Sequence, residues 1–332
     1  MISKKLDIGL TGSGFNKFTS FKFFHEITIF AVMIVLATII AIMEPGFLKI
    51  SNILNVLNQV SVTTILALGL GIVLISGGID LSISSILVLT GVPVIFIIEA
   101  LNGSLPSVIL AIIGGILFGA AIGFINGINI VFLKITAFIA TLAMMLITQG
   151  SIKTILGGTS AGDLAIIPKG FIAIGTGSIG GIPYTMIIIL VLFIYMTERT
   201  PFGRSIYFIG GSEETARTHG IKVKKVKVMI YVISGICGGI AGVIFTARHA
   251  SAQPLAENPY LFDAITAAVL GGVSMSGGSG TMIGIFLGSL VVGIINNGQD
   301  LMGVNPYIRW IVTGLIIIFA IVISSLSRKE QQ

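Results

Sequence analysis

The sequence predicts an all-α integral membrane protein, a bundle of about ten transmembrane helices with glycine-broken segments, and three observations predict it. Of 332 residues, 55% are hydrophobic and only 10% are charged, against about 25% charged in soluble domains. With mean hydropathy at +1.07, too little polar surface remains to cover a water-soluble globule. The apolar residues fall into runs near the ~20 residues that carry a helix across a hydrocarbon core. These runs are uniformly apolar and lack the alternation of a membrane β-barrel. The basic residues flank the runs, so the net charge of +6 reads as membrane orientation and not as a nucleic-acid surface.

Taken in order, residues 1–25 hold Lys4, Lys5, Lys17 and Lys22 and read as a cytoplasmic tail. They are not a cleavable signal, because no small-residue cleavage site closely follows the long apolar run. A single transmembrane domain over 26–327 contains spans at 26–44, 54–76, 82–100, 107–127, 136–155, 184–198, 228–247, 263–276, 281–299 and 308–326. Residues 328–332 form a second cytoplasmic tail. With the N-terminus inside, 14 of the 19 basic residues are cytoplasmic: Lys4, Lys5, Lys17, Lys22, Lys134, Arg199, Arg204, Arg217, Lys222, Lys224, Lys225, Lys227, Arg328 and Lys329. Lys49, Lys153, Lys169, Arg248 and Arg309 fall outside. The opposite orientation reverses the ratio, so both termini and the 199–227 loop are expected in the cytoplasm. The external connections at 156–183 and 248–262 are read either as a docking face or as plain connectors.

The membrane pattern breaks twice. Ala264–Gln299 is an uncharged stretch of 36 residues, whereas two full spans need about 40. One span is therefore short, or broken within Gly271-Gly272-Val273-Ser274-Met275-Ser276-Gly277-Gly278-Ser279-Gly280. A comparable break lies at Gly77-Gly78-Ile79-Asp80-Leu81-Ser82. Paired glycine interruptions point to a polar pathway, because broken backbone must be buried in protein or line water. Gly123-Phe124-Ile125-Asn126-Gly127 also resembles Gly293-Ile294-Ile295-Asn296-Asn297, at opposite membrane faces as an inverted repeat requires. The translocation-pathway candidates are Gly78, Asp80, Ser82, Asn126, Gly272, Ser274, Asn296 and Asn297. Asn126, Asn296 and Asn297 would hydrogen-bond substrate hydroxyls or tie helices together. Asp80 and Asp263 are read as carboxylates at helix N-termini, or else as functional intramembrane groups.

Residues 199–227 form the longest and most charged internal connection. Ser212 is placed to cap a short helix with Glu213 and Glu214 in its first turn, and Gly220 to stop it. The lone Cys237 excludes an internal disulfide and a cysteine-rich metal site, and reads as a small packing residue. No metal or cofactor site is expected. No Gly-rich loop ends in Gly-Lys-Ser/Thr; Gly277-Gly278-Ser279-Gly280 lacks the lysine that reaches phosphates. Any nucleotide is therefore bound by another chain.

Glu213–Gly220 resembles the coupling motif of ABC-importer permeases. The wider chain resembles the monosaccharide branch of that family, typified by ribose, xylose and galactose permeases. The likeness rests on Gly78-Ile79-Asp80-Leu81-Ser82, Phe138-Ile139-Ala140-Thr141-Leu142, Arg248 through Pro254, Asp263-Ala264-Ile265 running into Leu270-Gly271-Gly272, Gly277-Gly278, and Gly303-Val304-Asn305-Pro306-Tyr307. Ser84, Thr218-His219 and Gln299-Asp300 depart from the pattern. The resemblance implies a type II-like importer permease in the bacterial inner membrane, itself no enzyme. Its implied partners are an ABC ATPase subunit that binds the ATP, an external sugar-binding protein, a second permease copy, membrane lipid and a monosaccharide, ribose first. Arg204, Glu213, Glu214, Ala216 and Gly220 would couple the ATPase to the pore. An ion-coupled secondary sugar transporter is the competing reading, but that class wants several buried ionisable residues along a path, and only Asp80 and Asp263 qualify. An intramembrane aspartyl protease would need those two carboxylates paired.

Overall fold

Helix α2 (Ile50–Ile75) is the axis of the bundle: 94% of its apolar window is buried by other helices. The computed structural model describes residues 13–176, 183–254, 257–305, 307–308 and 310–318. The first expected span becomes α1 (Ser13–Met43), whose apolar part is Glu26–Met43. The helix thus reaches back to Ser13, inside the stretch expected to be a tail. After α2 come α3 (Ile83–Ala100), α4 (Leu105–Val131) and α5 (Ala137–Leu156). A short α6 (Lys169–Thr176) precedes α7 (Tyr184–Arg199), α8 (Pro201–Gly211) and α9 (Glu213–Thr218). The chain continues with α10 (Val223–His249), α11 (Glu257–Leu270) and α12 (Met282–Leu301).

Seven of these helices, α1 to α5, α10 and α12, are long and apolar enough to cross a membrane. Three other expected spans fare differently. Helix α7 continues into α8 through a 71° bend. The bend follows from Pro201, which pushes Thr200 into extended backbone (φ −105°, ψ 154°) while the Thr200 side chain accepts from Gly203 N–H and caps the new helix. Helix α11 has 14 residues, about 21 Å of rise, and stops at Leu270. The expected span 263–276 is therefore corrected: residues 271–276 form a turn, because Gly272, Gly277 and Gly278 take φ near +80°. The last span, 308–326, lies partly outside the described residues, as do residues 1–12 and the tail at 328–332; residues 307–308 and 310–318 are helical.

Helices α3 and α4 pack on α10, and α11 and α12 pack on α2. Helices α4 and α10 approach closely along a run of glycines. Gly115, Gly119 and Gly123 recur every fourth residue and face Gly235 and Gly239; a Cβ at Gly119 would lie 2.3 Å from the Gly235 carbonyl oxygen, and one at Gly123 2.2 Å from that of Tyr231. Backbones meet there because no side chain intervenes. Helices α1 and α5, by contrast, leave most of their apolar surface outward, as lipid-facing helices do.

The two connections expected outside the membrane touch each other and the bundle. Ala161 and Ala252 pair as an antiparallel bridge, and α6 packs on α10, where a Cβ at Gly175 would meet the Arg248 backbone at 2.2 Å.

Candidate functional site

The expected coupling segment folds as its residues dictate. Ser212 is extended (φ −162°), and its side chain accepts from Thr215 N–H at 3.2 Å, capping α9. At the other end Gly220 takes φ +77°. Gly220 N–H donates to Arg217 O at 3.0 Å and Ile221 N–H to Ala216 O at 3.1 Å, a complete Schellman stop. Ala216 is fully buried and packs with Ile209 and Val223, with Ile221 and Val226 at the rim. It anchors α9 to the body, while Arg204, Glu214 and Gly220 stay exposed.

Glu213 is half-buried and doubly paired. Its carboxylate accepts from Arg217, 2.5 Å away on its own helix, and from Lys227 on α10. The hydrogen-bonded Lys227 ammonium, aided by Arg217, holds the Glu213 carboxyl below the usual carboxylate range, against a smaller opposing effect of burial. Arg204, Tyr207, Phe208, Gly211, Ser212 and Thr215 line an open, largely apolar groove of about 420 Å³ between α8 and α9. The sequence reading found α9 and missed α8 as a separate helix, although Thr200-Pro201 is a legible cap followed by a first-turn proline.

Six of the eight pathway candidates lie at the α8–α9 end of the bundle. Asp80, fully buried, follows the turn after α2. Its Oδ1 accepts from Ser82 N–H (3.0 Å) and Ser82 Oγ–H (2.7 Å), and its Oδ2 from Ser234 Oγ–H of α10 (2.7 Å). Asn126 of α4 donates to Ser82 Oγ at 2.8 Å; its own Oδ1 is buried without a partner. Beside this network a Cβ on Gly78 would meet the Tyr231 hydroxyl at 2.6 Å. The network therefore joins α3, α4 and α10 through a carboxylate that sits at a helix N-terminus, as expected. Ser234 was not among the candidates; nothing marks it in the sequence except a hydroxyl inside an apolar run. Gly272 and Ser274 lie in the 271–281 turn, where Ser274 N–H donates to Ser279 O.

Asn296 and Asn297 are at the opposite end. Asn296 donates to Asp263 Oδ2 at 2.9 Å, and Asn297 exchanges two amide hydrogen bonds with Asn52 at 2.8 and 3.0 Å. Asp263 lies in the second turn of α11 and is buried, so the expectation that it sits at a helix N-terminus is corrected: burial there is supported by the Asn296 amide. Asp80 and Asp263 belong to separate networks near opposite ends of α2, whose 26 residues rise about 39 Å. A paired-carboxylate protease is excluded by that separation. Among the described residues, no group of three or more His, Cys, Asp or Glu is placed to hold a metal.

Comparison with known proteins finds relatives by sequence. No solved structure matches the chain. The ribose import permease protein RbsC of Escherichia coli K12 is 36% identical over 325 residues, covering 95% of this chain and 98% of the relative. RbsC of Bacillus subtilis 168 is 41% identical over 297 residues, 89% of this chain and 91% of its own length. The galactose/methyl galactoside import permease protein MglC of Escherichia coli K12 is 34% identical over 330 residues, 95% and 98% of the two chains. The model of the family described as branched-chain amino acid transport system / permease component matches residues 52–321. With the helical bundle already in place, this match and the nearly full-length relatives make the chain a member of that permease family, the multi-pass membrane component of an ABC importer and not itself catalytic.

Proposed function

We propose that this chain carries a monosaccharide, ribose first, inward across the bacterial inner membrane, driven by ATP hydrolysis on a separate ATPase subunit. The supporting observation is the likeness to ribose import permeases over nearly the whole chain. In this reading the exposed side of α9 and the adjoining groove receive the ATPase in the cytoplasm. The opposite end, with the Ala161–Ala252 bridge, receives a sugar-binding protein, and a second copy of the chain completes the pathway. Both termini are cytoplasmic, as the basic residues require.

The substrate assignment follows from relatives and from chemistry. The family description names branched-chain amino acids, whose zwitterion would call for charged partners along the path. The buried polar groups of α2 to α4 and α10 to α12 are mostly hydroxyls and amides, which suit a neutral polyol. Gly78, Asp80, Ser82, Asn126, Gly272, Ser274, Asn296 and Asn297 border the two ends of this path in our reading, and in the present conformation Asp80, Ser82, Asn126, Asn296 and Asn297 hold helices together. The ion-coupled alternative loses ground because the hydroxyls and amides around Asp80 and Asp263 already occupy both carboxylates.

The test is uptake by proteoliposomes holding the permease, its ATPase and its binding protein, with labelled ribose and competitors. Unlabelled ribose should displace the label, and leucine should not. Displacement by leucine and not by ribose would move the protein to the amino-acid branch, and displacement by galactose or xylose alone would change the sugar.

A further inference from the structure

Helix α8 does more than connect α7 to the capped α9. Its residues 207, 210 and 211 share one face, and that face touches both glycine-broken segments at once. The Tyr207 hydroxyl donates to Gly280 O at 2.9 Å. A Cβ at Gly210 would lie 1.8 Å from Ile75 O and 2.5 Å from Gly278 N, so the bare Gly210 Cα sits over the 2.8 Å hydrogen bond from Gly278 N–H to Ile75 O. Gly277 in turn approaches Gly210 O and the Gly77 backbone, where a Cβ would be at 2.8 and 3.0 Å. Three segments distant in sequence, 75–77, 207–211 and 277–280, thus meet backbone to backbone. Contacts between backbones transmit displacement with little slack, because no side-chain rotamer can absorb it.

We infer that Gly210 and Tyr207 are positioning residues for transport: they lock α8 to both broken segments, so that α8, α9 and the 75–77 and 277–280 turns move as one body when ATP acts on α9. This rests on the reading that α9 carries the ATPase's motion. The 277–280 turn leads through the Thr281 cap into α12, and the 75–77 turn leads through Asp80 to α3, α4 and α10. A single displacement at α9 therefore reaches both α12 and the α3, α4 and α10 group.

The experiment uses the complete transporter in lipid nanodiscs, in a Cys237→Ser background, since Cys237 is the only native cysteine. Spin labels at Thr218→Cys and Ser276→Cys, both exposed, report the distance within the proposed body. Labels at Thr218→Cys and Thr159→Cys report α9 against the opposite end. The expected result is a Thr218–Ser276 distance that is the same with and without ATP, and a Thr218–Thr159 distance that changes. Equal changes in both would overturn the locked body and leave α9 as the coupling helix. No change in Thr218–Thr159 would overturn both. Gly210→Ala should make the Thr218–Ser276 distance depend on ATP and cut sugar moved per ATP hydrolysed by at least about fivefold, the lower end of what overpacking by one methyl does. Tyr207→Phe, which removes a single oxygen and spares the fold, should lower the same ratio by a smaller factor. Wild-type ratios in both variants would overturn the assignment.

Discussion

Glu213 on α9 and Lys227 on α10 form an ion pair that fastens α9 to the second turn of a membrane helix. Arg217, one turn along α9, takes the other carboxylate oxygen. Because the Glu213 side chain is 37% exposed, each pair is worth only about 0.2–1 kcal/mol. Glu213→Lys converts both attractions to repulsions and removes favourable charge from the helix N-terminus. It should lower ATPase co-purification and ATP-driven uptake several-fold, while Glu214→Gln, on an exposed and separate side chain, has a smaller effect. The pH dependence follows from the lowered carboxyl of Glu213. The free group binds more protons than the docked one, so the stabilisation is complete above the ordinary value of 4.5 and fades as pH falls through the lower docked value. A pH titration of ATPase association should show this acid loss in the wild type and not in Glu213→Gln.

Gly220 offers a cleaner test of backbone geometry. A Cβ there meets nothing within 4 Å, so substitutions act through φ +77° alone. Gly220→Val should cost roughly 1–2 kcal/mol at the end of α9 and reduce stimulated ATP hydrolysis. Gly220→Asn, which tolerates the left-handed region, should retain most of it. Equal behaviour of the two variants would mean that the Schellman stop is not what positions α9.

The α4–α10 seam predicts a contrast between glycines. Gly119→Ala places a methyl against the Gly235 carbonyl and should destabilise the detergent-solubilised protein by about 1–3 kcal/mol, read as a lower melting temperature. Gly150→Ala, in the interior of α5 with open space around it, should be neutral or stabilising by up to about 1 kcal/mol. Similar losses at both positions would contradict the close-packed seam.

Sidedness is tested by labelling intact cells with a membrane-impermeant thiol reagent. In the Cys237→Ser background, Thr159→Cys should react from outside, and Thr218→Cys only after the membrane is opened. Reaction of both from the same side would overturn the orientation set by the basic residues.

What was legible in the sequence was what depends on local chemistry. Ser212, Glu213 and Gly220 announce α9 because a cap, an acidic first turn and a left-handed stop are all properties of single residues. The glycines of 271–280 announce their turn in the same way. The partners of those residues were not legible, because they are chosen by packing across the bundle. Ser234 and Lys227 meet Asp80 and Glu213 only once α10 lies beside α3 and α9. Asp263 was misplaced because the apolar pattern starts α11 there, whereas the helix begins at Glu257 in a polar lead-in. The pathway candidates were chosen as glycines and polar residues unusual in an apolar chain, but composition could not say that they divide between the two ends of α2. Nor could it say that Asn297 would pair with Asn52, which no motif marked.

The most direct test of the account is accumulation of labelled ribose in proteoliposomes that contain the permease with its ATPase and binding protein, with no ion gradient imposed. The account predicts concentrative uptake that requires hydrolysable ATP on the ATPase side, persists when ionophores collapse H⁺ and Na⁺ gradients, and fails without the ATPase subunit. Uptake driven by an imposed H⁺ or Na⁺ gradient in the permease alone, with no requirement for ATP, would contradict it.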